Sequence, residues 1–282
     1  MVKRCAVRQK MVTLAFVLCS SLAEAGGGKL IGTAGVGSIE GAGGGGLTPW
    51  APIATYASSD ELGASILSSE ARVDDYNLSV HGIAVGAYDR LELSYAHQDL
   101  YSDALSRSIR QNIVGAKVRL TGDLVYDVMP VVSLGLQHKT LLDEEVLSLV
   151  GAEDNEGVDV YLSAAKAWLN GPFNRTAFAN LNVRYTEANE TGLLGFGGDD
   201  SGANLLAEFA GGMFITKQVA LGFEFRQKQN QLSALSEDHW KDLFLAWFPN
   251  KNLSITAAYL DLGVIAGQED QTGFYISLNG TL

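Results

Sequence analysis

The stretch NRTAFANLNVRY, residues 174–185, decides the fold. Ala177, Ala179, Leu181, Val183 and Tyr185 fall on one face of an extended chain, and Phe178, Asn180, Asn182 and Arg184 fall on the other. Successive side chains of a strand point to opposite sides, so this period of two specifies a strand with one oily and one mostly polar face. The pattern recurs elsewhere. Val158, Val160, Leu162 and Ala164 oppose Asp159, Tyr161 and Ser163; Val219, Leu221, Phe223 and Phe225 oppose Ala220, Gly222, Glu224 and Arg226; Phe274, Ile276 and Leu278 oppose Tyr275, Ser277 and Asn279. No comparable 3.6-residue period exists after position 30.

A soluble sandwich or lipocalin-like barrel hides such an oily face inside, whereas an outer-membrane barrel turns it toward lipid. Connection lengths choose between them. Tight joints near 58–60, 88–89, 169–173, 216–218 and 249–252 take turns with longer polar ones near 98–110, 140–156, 187–202, 229–239 and 263–271. Short turns at one end and long loops at the other are the transmembrane-barrel pattern. Trp50, Trp168, Trp240, Trp247, Phe248 and Tyr259 lie near strand ends, where aromatic rings favour the lipid–water interface.

Strands are expected near 50–57, 61–70, 76–87, 90–97, 111–120, 129–139, 157–168, 174–186, 203–215, 219–228, 240–248, 253–262 and 272–282, and the alternating Leu30–Ile39 stretch can supply one more. The expected fold is therefore all-β: an antiparallel up-and-down transmembrane β-barrel of about 14 strands. The alternative is a barrel of about 12 strands in which the N-terminal pair is a plug or lid.

Composition agrees. The 282 residues are 47% hydrophobic and 18% charged, with 32 Gly, 5 Pro and a net charge of −12, which excludes a disordered or collagen-like chain. The apolar runs of about 20 residues that a helical membrane protein needs are missing after position 30, and an acidic chain is unsuited to nucleic acid. The first 25 residues, MVKRCAVRQKMVTLAFVLCSSLAEA, read as a secretory signal of a Gram-negative cell: Lys3, Arg4, Arg8 and Lys10, an apolar run from Met11 to Leu18, then small residues at Ala23 and Ala25. Cleavage is expected after Ala25, leaving residues 26–282 as a single barrel domain. Losing four basic residues and one acid takes the net charge from −12 to −15. Both cysteines, Cys5 and Cys19, leave with the signal.

Several segments together resemble a family of uncharacterised bacterial outer-membrane proteins, domain of unknown function 3034. They are GGGKLIGTAGVGSIEGAGGGGLTPWAPI at 26–53, GAYDRLELSYAHQ at 86–98, IRQNIVGAKVRLTGDLVYD at 109–127, GLLGFGGDD at 192–200 and AWFPNKNLSITAAYLDLG at 246–263. The resemblance implies an outer-membrane β-barrel of unassigned function and brings no active-site residues. One departure is the C-terminus, Leu282, where barrels of this kind usually end in an aromatic residue.

Motifs for chemistry are sparse. The glycines at 35–37 and 41–46 lack the Lys and helix of a phosphate loop, and fit a flexible or pore-facing segment. His81, His97, His138 and His239 have no metal spacing. A Ser-His-acid set for a lipid-modifying hydrolase or acyltransferase could be drawn from Ser236, Glu237 and His239. Acids cluster in joints expected outside the cell: Asp143, Glu144 and Glu145; Glu153, Asp154 and Glu156; Asp199 and Asp200; Glu237 and Asp238; Glu269 and Asp270. Of these, Asp143, Glu144, Glu145, Asp199 and Asp200 are candidates to hold Ca²⁺ or Mg²⁺ toward lipopolysaccharide.

Lumen-facing candidates are Lys117, Arg119, Arg184, Glu208, Glu224 and Arg226. If Thr216, Lys217 and Gln218 form the turn, Glu208 pairs with Arg226. Lys166 continues the oily face of 158–164, and is expected near the short-turn end, where its stem reaches the headgroups. The functional expectation is a porin-like channel or facilitator for small solutes, cation-preferring, without a cofactor. Its rivals are a closed structural or surface-interaction barrel and a lipid-modifying enzyme. Expected partners are outer-membrane lipids, lipopolysaccharide, the outer-membrane assembly machinery and a small-molecule solute.

Overall fold

The computed structural model describes residues 28–199, 202–232 and 235–282; the expected signal peptide and its cleavage site lie outside them. Twelve antiparallel strands close into a barrel. In chain order they follow a small inner ribbon, β1 (Val36–Gly37) paired with β2 (Gly43–Gly44). The wall is β3 (Leu62–Val73), β4 (Tyr76–Ala87), β5 (Leu91–Ser102), β6 (Arg107–Thr121), β7 (Val131–Leu141), β8 (Glu156–Trp168), β9 (Ala177–Thr186), β10 (Asn204–Phe214), β11 (Val219–Arg226), β12 (Trp240–Asn250), β13 (Leu253–Asp261) and β14 (Thr272–Thr281). Each strand pairs with the next, and β14 closes on β3 from Gly273 opposite Val73 to Thr281 opposite Ser65. Closure removes both sheet edges, so no row of backbone groups faces lipid unpaired.

The barrel thus follows the 12-strand alternative, with the N-terminal stretch inside it. The count of 14 fails because neither 30–39 nor 50–57 joins the wall. Pro52, with Pro49 just before it, deprives the second of a ladder donor, and the glycines of the first leave it no lipid-facing row of side chains. Residues 34–49 and 53–57 are buried within the lumen instead.

One end carries the joints 88–90, 122–130, 169–176, 215–218 and 251–252. The other carries 142–155, 187–203, 227–239 and 262–271, together with the short 74–75 and 103–106. The long joint expected over 98–110 is a correction: β5 runs to Ser102 and β6 begins at Arg107, because alternation continues through Leu100 and Ile109. A six-residue helix, α1 (Glu145–Val150), lies in the 142–155 loop and buries Val146.

Outward positions are apolar. Leu93, Leu181, Leu243 and Phe274 are 65, 52, 57 and 71% exposed, and such side chains recur around the wall as a continuous surface that lipid would cover. On β3 to β6 the band stops at Ile66, Ile83, Tyr95 and Val114, and Ser68, His81, His97 and Asn112 follow it toward the long-loop end. Trp168, Trp247 and Tyr259 face outward as expected for interface rings. Trp50, Trp240 and Phe248 do not. Trp50 belongs to the inner segment, and Trp240 and Phe248 share the inward parity of Asp242, Phe244 and Ala246.

Candidate functional site

The lumen is layered, and a charged layer crosses it toward the long-loop ends of β7 to β11. Alternation puts Asp159 of β8, Arg184 of β9, Glu208 of β10 and Arg226 of β11 on the inner face, and Lys139 of β7 completes the ring. The register sets Glu208 opposite Arg226, with Arg226 Nε 3.5 Å from the Glu208 carboxylate. Arg184 is the hub. Its Nε reaches Glu208 at 2.6 Å, Nη1 reaches Asp159 at 2.9 Å and Gln137 at 2.8 Å, and its guanidinium stands 5.4 Å from the Tyr161 ring centre.

Into this ring the inner segment inserts Glu40. Its carboxylate lies 2.6 Å from Lys139 Nζ, 2.8 Å from Arg184 Nη2 and 2.7 Å from Arg226 Nη2. Three carboxylates, Glu40, Asp159 and Glu208, therefore meet three cations, and all six side chains are almost fully buried. Buried charges persist only when paired and hydrogen-bonded, and this cluster satisfies that condition through the inner segment's acid.

Further anchors hold the segment's backbone. Glu224 accepts from Leu47 N at 2.8 Å, Thr48 Oγ1 at 2.6 Å and Trp50 Nε1 at 3.3 Å. Glu92 accepts from Gly43 N at 3.0 Å and Ala54 N at 2.7 Å, and Lys117, 3.0 Å from Glu92, donates to the carbonyls of Gly43 and Trp50 at 3.0 Å each. Asn180 accepts from Ala51 N at 3.0 Å, while Asn182 donates to Pro49 O at 2.5 Å. Such contacts require a bare backbone. A Cβ at Gly45 would stand 2.1 Å from Glu224 Oε1, and Gly41 turns at φ +85° against Ala96.

Of the six lumen candidates, Arg184, Glu208 and Arg226 come together at Glu40, and Lys117 and Glu224 form separate anchors. Arg119 faces the short-turn end, bound to Asp89 and 3.5 Å from Asp123. Lys166 also sits near that end, donating to the carbonyls of Asp123, at 3.3 Å, and Asp127. Glu40, Glu92, Lys139 and Asp159 were not among the sequence candidates. Glu40 has a readable signal, being the only charged residue between Lys29 and Asp60.

The loop acids are engaged differently. Asp143 binds Arg110 at 2.9 Å, and that guanidinium hydrogen bond holds its carboxyl below the ordinary range; Glu145 is held down in the same way by Arg107 at 3.0 Å. Glu144 accepts from Asn155 at 3.1 Å. Asp199 lies in the 187–203 loop with an interaction of its own, and Asp200 lies outside the described residues. Among the described residues no three His, Cys, Asp or Glu side chains converge as a metal site would need. Glu237 binds Lys228 at 3.0 Å inside the barrel, whereas His239 packs on the outward Phe225 ring at 5.5 Å, so the Ser236, Glu237 and His239 set does not assemble.

Apolar space flanks the charged layer. Toward the short turns a cavity of about 700 Å³ is lined by Trp50, Phe178, Phe214, Phe244, Ala246 and Phe248 among others. Toward the long loops a smaller one of about 240 Å³ lies among Leu78, Leu100, Ile109, Leu194, Trp240 and Leu260. The 187–203 loop folds over it: Ala188–Phe196 is buried, and Thr191 O accepts from Lys139 at 3.0 Å.

Similar architectures are known. The NanC porin aligns over 77% of this chain and 98% of its own at 10% identity and a TM-score of 0.47. The KdgM porin aligns over 77% and 98% at 11% identity and 0.48. Outer membrane protein Omp33 of Acinetobacter baumannii aligns over 79% and 99% at 10% identity and 0.46. No curated protein matches the sequence. The model of a protein family of unknown function, DUF3034, matches residues 33–279, from the inner segment that carries Glu40 to the last barrel strand, and the chain belongs to that family.

Proposed function

We propose that this protein is an outer-membrane channel for small solutes, kept closed by residues 33–57 as a plug that must shift for passage. The observation that carries the reading is Glu40 in its ring of Lys139, Arg184 and Arg226. A barrel that only needed a filled interior would gain as much from well-packed apolar residues, because a buried ion cluster contributes little net stability over an apolar replacement. A charged contact differs in one respect: once separated, both halves can be rehydrated. The plug therefore has an alternative state outside the ring that an apolar plug would lack. On this reading the short turns are periplasmic, the long loops face outward, and the chain reaches the outer membrane by its cleaved signal.

A mild cation preference follows from the outer acids, Glu144, Glu153, Asp154, Glu269 and Asp270, with a reach of about 8 Å at physiological salt. The wall ring left by a departing Glu40 holds Lys139, Arg184 and Arg226 against Asp159 and Glu208, which limits that preference.

The test uses a tether. A Cβ on Gly37 would lie 3.2 Å from Leu67 Cβ, within a few tenths of an ångström of the separation a disulfide spans, about 3.5–4.5 Å. In planar bilayers, Glu40→Gln should raise open probability over the native protein, and the Gly37→Cys/Leu67→Cys pair should be silent when oxidised and recover on reduction. Equal conductance in oxidised and reduced forms would show that solute does not pass where the plug sits. Silence of every variant, each with the heat-modifiable mobility of a folded barrel, would leave the closed structural barrel as the reading.

A further inference from the structure

We infer that the cavity at the short-turn end is a binding site for an amphiphile with an apolar body and a single anionic head, such as a long-chain carboxylate. An inner wall that faced only water would be expected to be polar, as the interiors of such barrels are. Here the inward positions of β8 to β12 near the short turns are apolar: Ala165, Phe178, Phe214, Phe244, Ala246 and Phe248. They do not face lipid, and the plug does not fill the space between them, which is about 700 Å³. That volume is in the usual range for small-molecule sites, about 300–1,000 Å³, and such sites are lined mainly by apolar and aromatic side chains. The aromatic rings form a connected patch, with Phe178 5.4 Å from Trp50, 6.2 Å from Phe214 and 6.4 Å from Phe244, and Phe214 5.9 Å from Phe248. Their edges and faces suit a flexible hydrocarbon or a ring system.

The head group follows from charge. The chain carries 32 acids against 20 basic residues, yet among the described residues the only charged ones lining this cavity are Arg175 and Lys217. Both are exposed, on the joints 169–176 and 215–218 that form its rim. An apolar chamber with two cations at its mouth is complementary to a molecule whose hydrocarbon end enters and whose carboxylate stays at the rim. Arg175 donates to the Ile215 carbonyl across the rim, which uses a donor but leaves its charge without an anion; a neutral hydrocarbon would leave both charges so, and a cationic amphiphile would be repelled. The chamber abuts the plug directly, since Val36, Gly45, Gly46 and Trp50 form part of its lining. A bound amphiphile would touch the closing segment itself. That last connection rests on the channel reading above; the binding site does not.

Trp50 supplies the readout. In the full mature chain, Trp168, Trp240 and Trp247 are replaced by Phe, leaving Trp50 as the one fluorescent indole, and the protein is placed in lipid nanodiscs. The probes are 9,10-dibromostearate and its methyl ester, whose bromines quench indole on contact. A companion protein keeping only the outward-facing Trp247 reports simple partition into lipid. The expected result is saturable quenching of Trp50 by the carboxylate at concentrations where Trp247 responds linearly. The ester, and the Arg175→Gln/Lys217→Gln variant with the carboxylate, should each bind several-fold more weakly, since one exposed ionic contact is worth a factor of roughly one to five. Ala246→Phe, which fills the chamber, should weaken both probes by about tenfold or more.

Linear quenching of Trp50 indistinguishable from Trp247 would overturn the site. Saturable binding in which carboxylate and ester are equal would overturn the anionic head. Neither result bears on whether the barrel conducts, and a silent barrel in the bilayer experiment would leave this binding measurement standing, so the two failures are distinguishable.

Discussion

Two stretches of the same inner wall differ in what they face. Toward the long-loop ends of their strands, β7 to β11 present Lys139, Asp159, Arg184, Glu208 and Arg226, and these close around Glu40. Nearer the short turns, β8 to β12 present Ala165, Phe178, Phe214, Phe244 and Ala246, which meet the inner segment at Gly32 and Trp50 and, among the described residues, leave a space of about 700 Å³ beside it. The strands, their pairing and their parity are shared, so secondary structure cannot account for the contrast. What differs is the occupant. Where the plug passes, the wall supplies a partner for its carboxylate and its exposed backbone groups, because an unpaired buried polar group costs about 1–3 kcal/mol and a charged one more. Where the segment offers the wall mainly glycines and apolar side chains, the wall keeps an apolar surface that water would wet poorly.

The largest expected effect breaks the first half of that contrast. Arg184→Met removes the hub and leaves three buried acids, Glu40, Asp159 and Glu208, to two cations, Lys139 and Arg226, and loss of one partner from a buried charge cluster costs about 3–5 kcal/mol. Urea titration of the folded, heat-modifiable species should show a loss of that size. A cost near that of an exposed substitution, within about 0.5 kcal/mol, would mean that the ring is hydrated and that the plug is not held there.

The chamber should behave in the opposite way. Ala246→Leu adds apolar volume to a space of about 700 Å³ and should change stability by less than about 1 kcal/mol in either sense. A penalty of about 1–3 kcal/mol, the usual cost of overpacking, would show that the wall residues already touch a filled interior. Measured side by side, the two substitutions separate a layer held by charge from one that has room for added side-chain volume.

The part of this contrast that was legible in the sequence is the facing, and the part that was not is the height. Alternation in 174–185 placed Asn180, Asn182 and Arg184 inward without any structure, and the turn at Thr216–Gln218 fixed Glu208 against Arg226. Parity alone also shows that Trp240 and Phe248 belong with Asp242 and Ala246, although their positions near strand ends suggested the interface. The strand count is less legible. Residues 30–39 alternate apolar and small side chains much as a wall strand does, and only Pro49, Pro52 and the glycines argue that the segment turns on itself. Glu40 was visible as a lone charge, but its partners are 99 to 186 positions away. Pairings that far apart depend on how high each strand stands in the barrel, which the period of two does not encode.

A smaller effect concerns the cover over the outer cavity. Lys228 lies 2.8 Å from Glu190 and 3.0 Å from Glu237, so one cation serves two buried acids. Burial, and then the neighbouring Glu237 carboxylate, push the Glu190 carboxyl in the 187–203 loop up to about 8. The sign follows from the raised value. The folded loop binds a proton that the unfolded one has released above about pH 4.3, so the stability of the inward fold is full at acid pH and is lost as the pH rises through 8. Hydrogen exchange at Gly195 and Phe196 should therefore speed up between pH 6 and pH 9 beyond the intrinsic rate increase. Glu190→Gln should flatten that dependence. An unchanged profile in the variant would assign the loosening, if any, to another group.

The smallest expected effect tests which outer acids set the field at the channel mouth. Asp143 and Glu145 are already matched by Arg110 and Arg107, so each pair presents little net charge beyond its own separation. Glu269 and Asp270, at the tip of the 262–271 loop, are exposed. Neutralising the second pair, Glu269→Gln with Asp270→Asn, should therefore reduce the cation preference read from the reversal potential under a salt gradient. Neutralising Asp143→Asn with Glu145→Gln uncovers two guanidinium groups and should reduce it at least as much, although the native acids add little. The way to separate these cases is to remove whole pairs: Arg110→Gln with Asp143→Asn should leave the reversal potential unchanged. Salt sharpens the comparison, because screening to about 3 Å at 1 M should erase the effect of Glu269 and Asp270 while leaving any selectivity set by the ring of Lys139, Arg184 and Arg226. A cation preference that persists unchanged at 1 M salt would place its origin in the lumen, at Asp159, Glu208 and Glu224, and not in the loops.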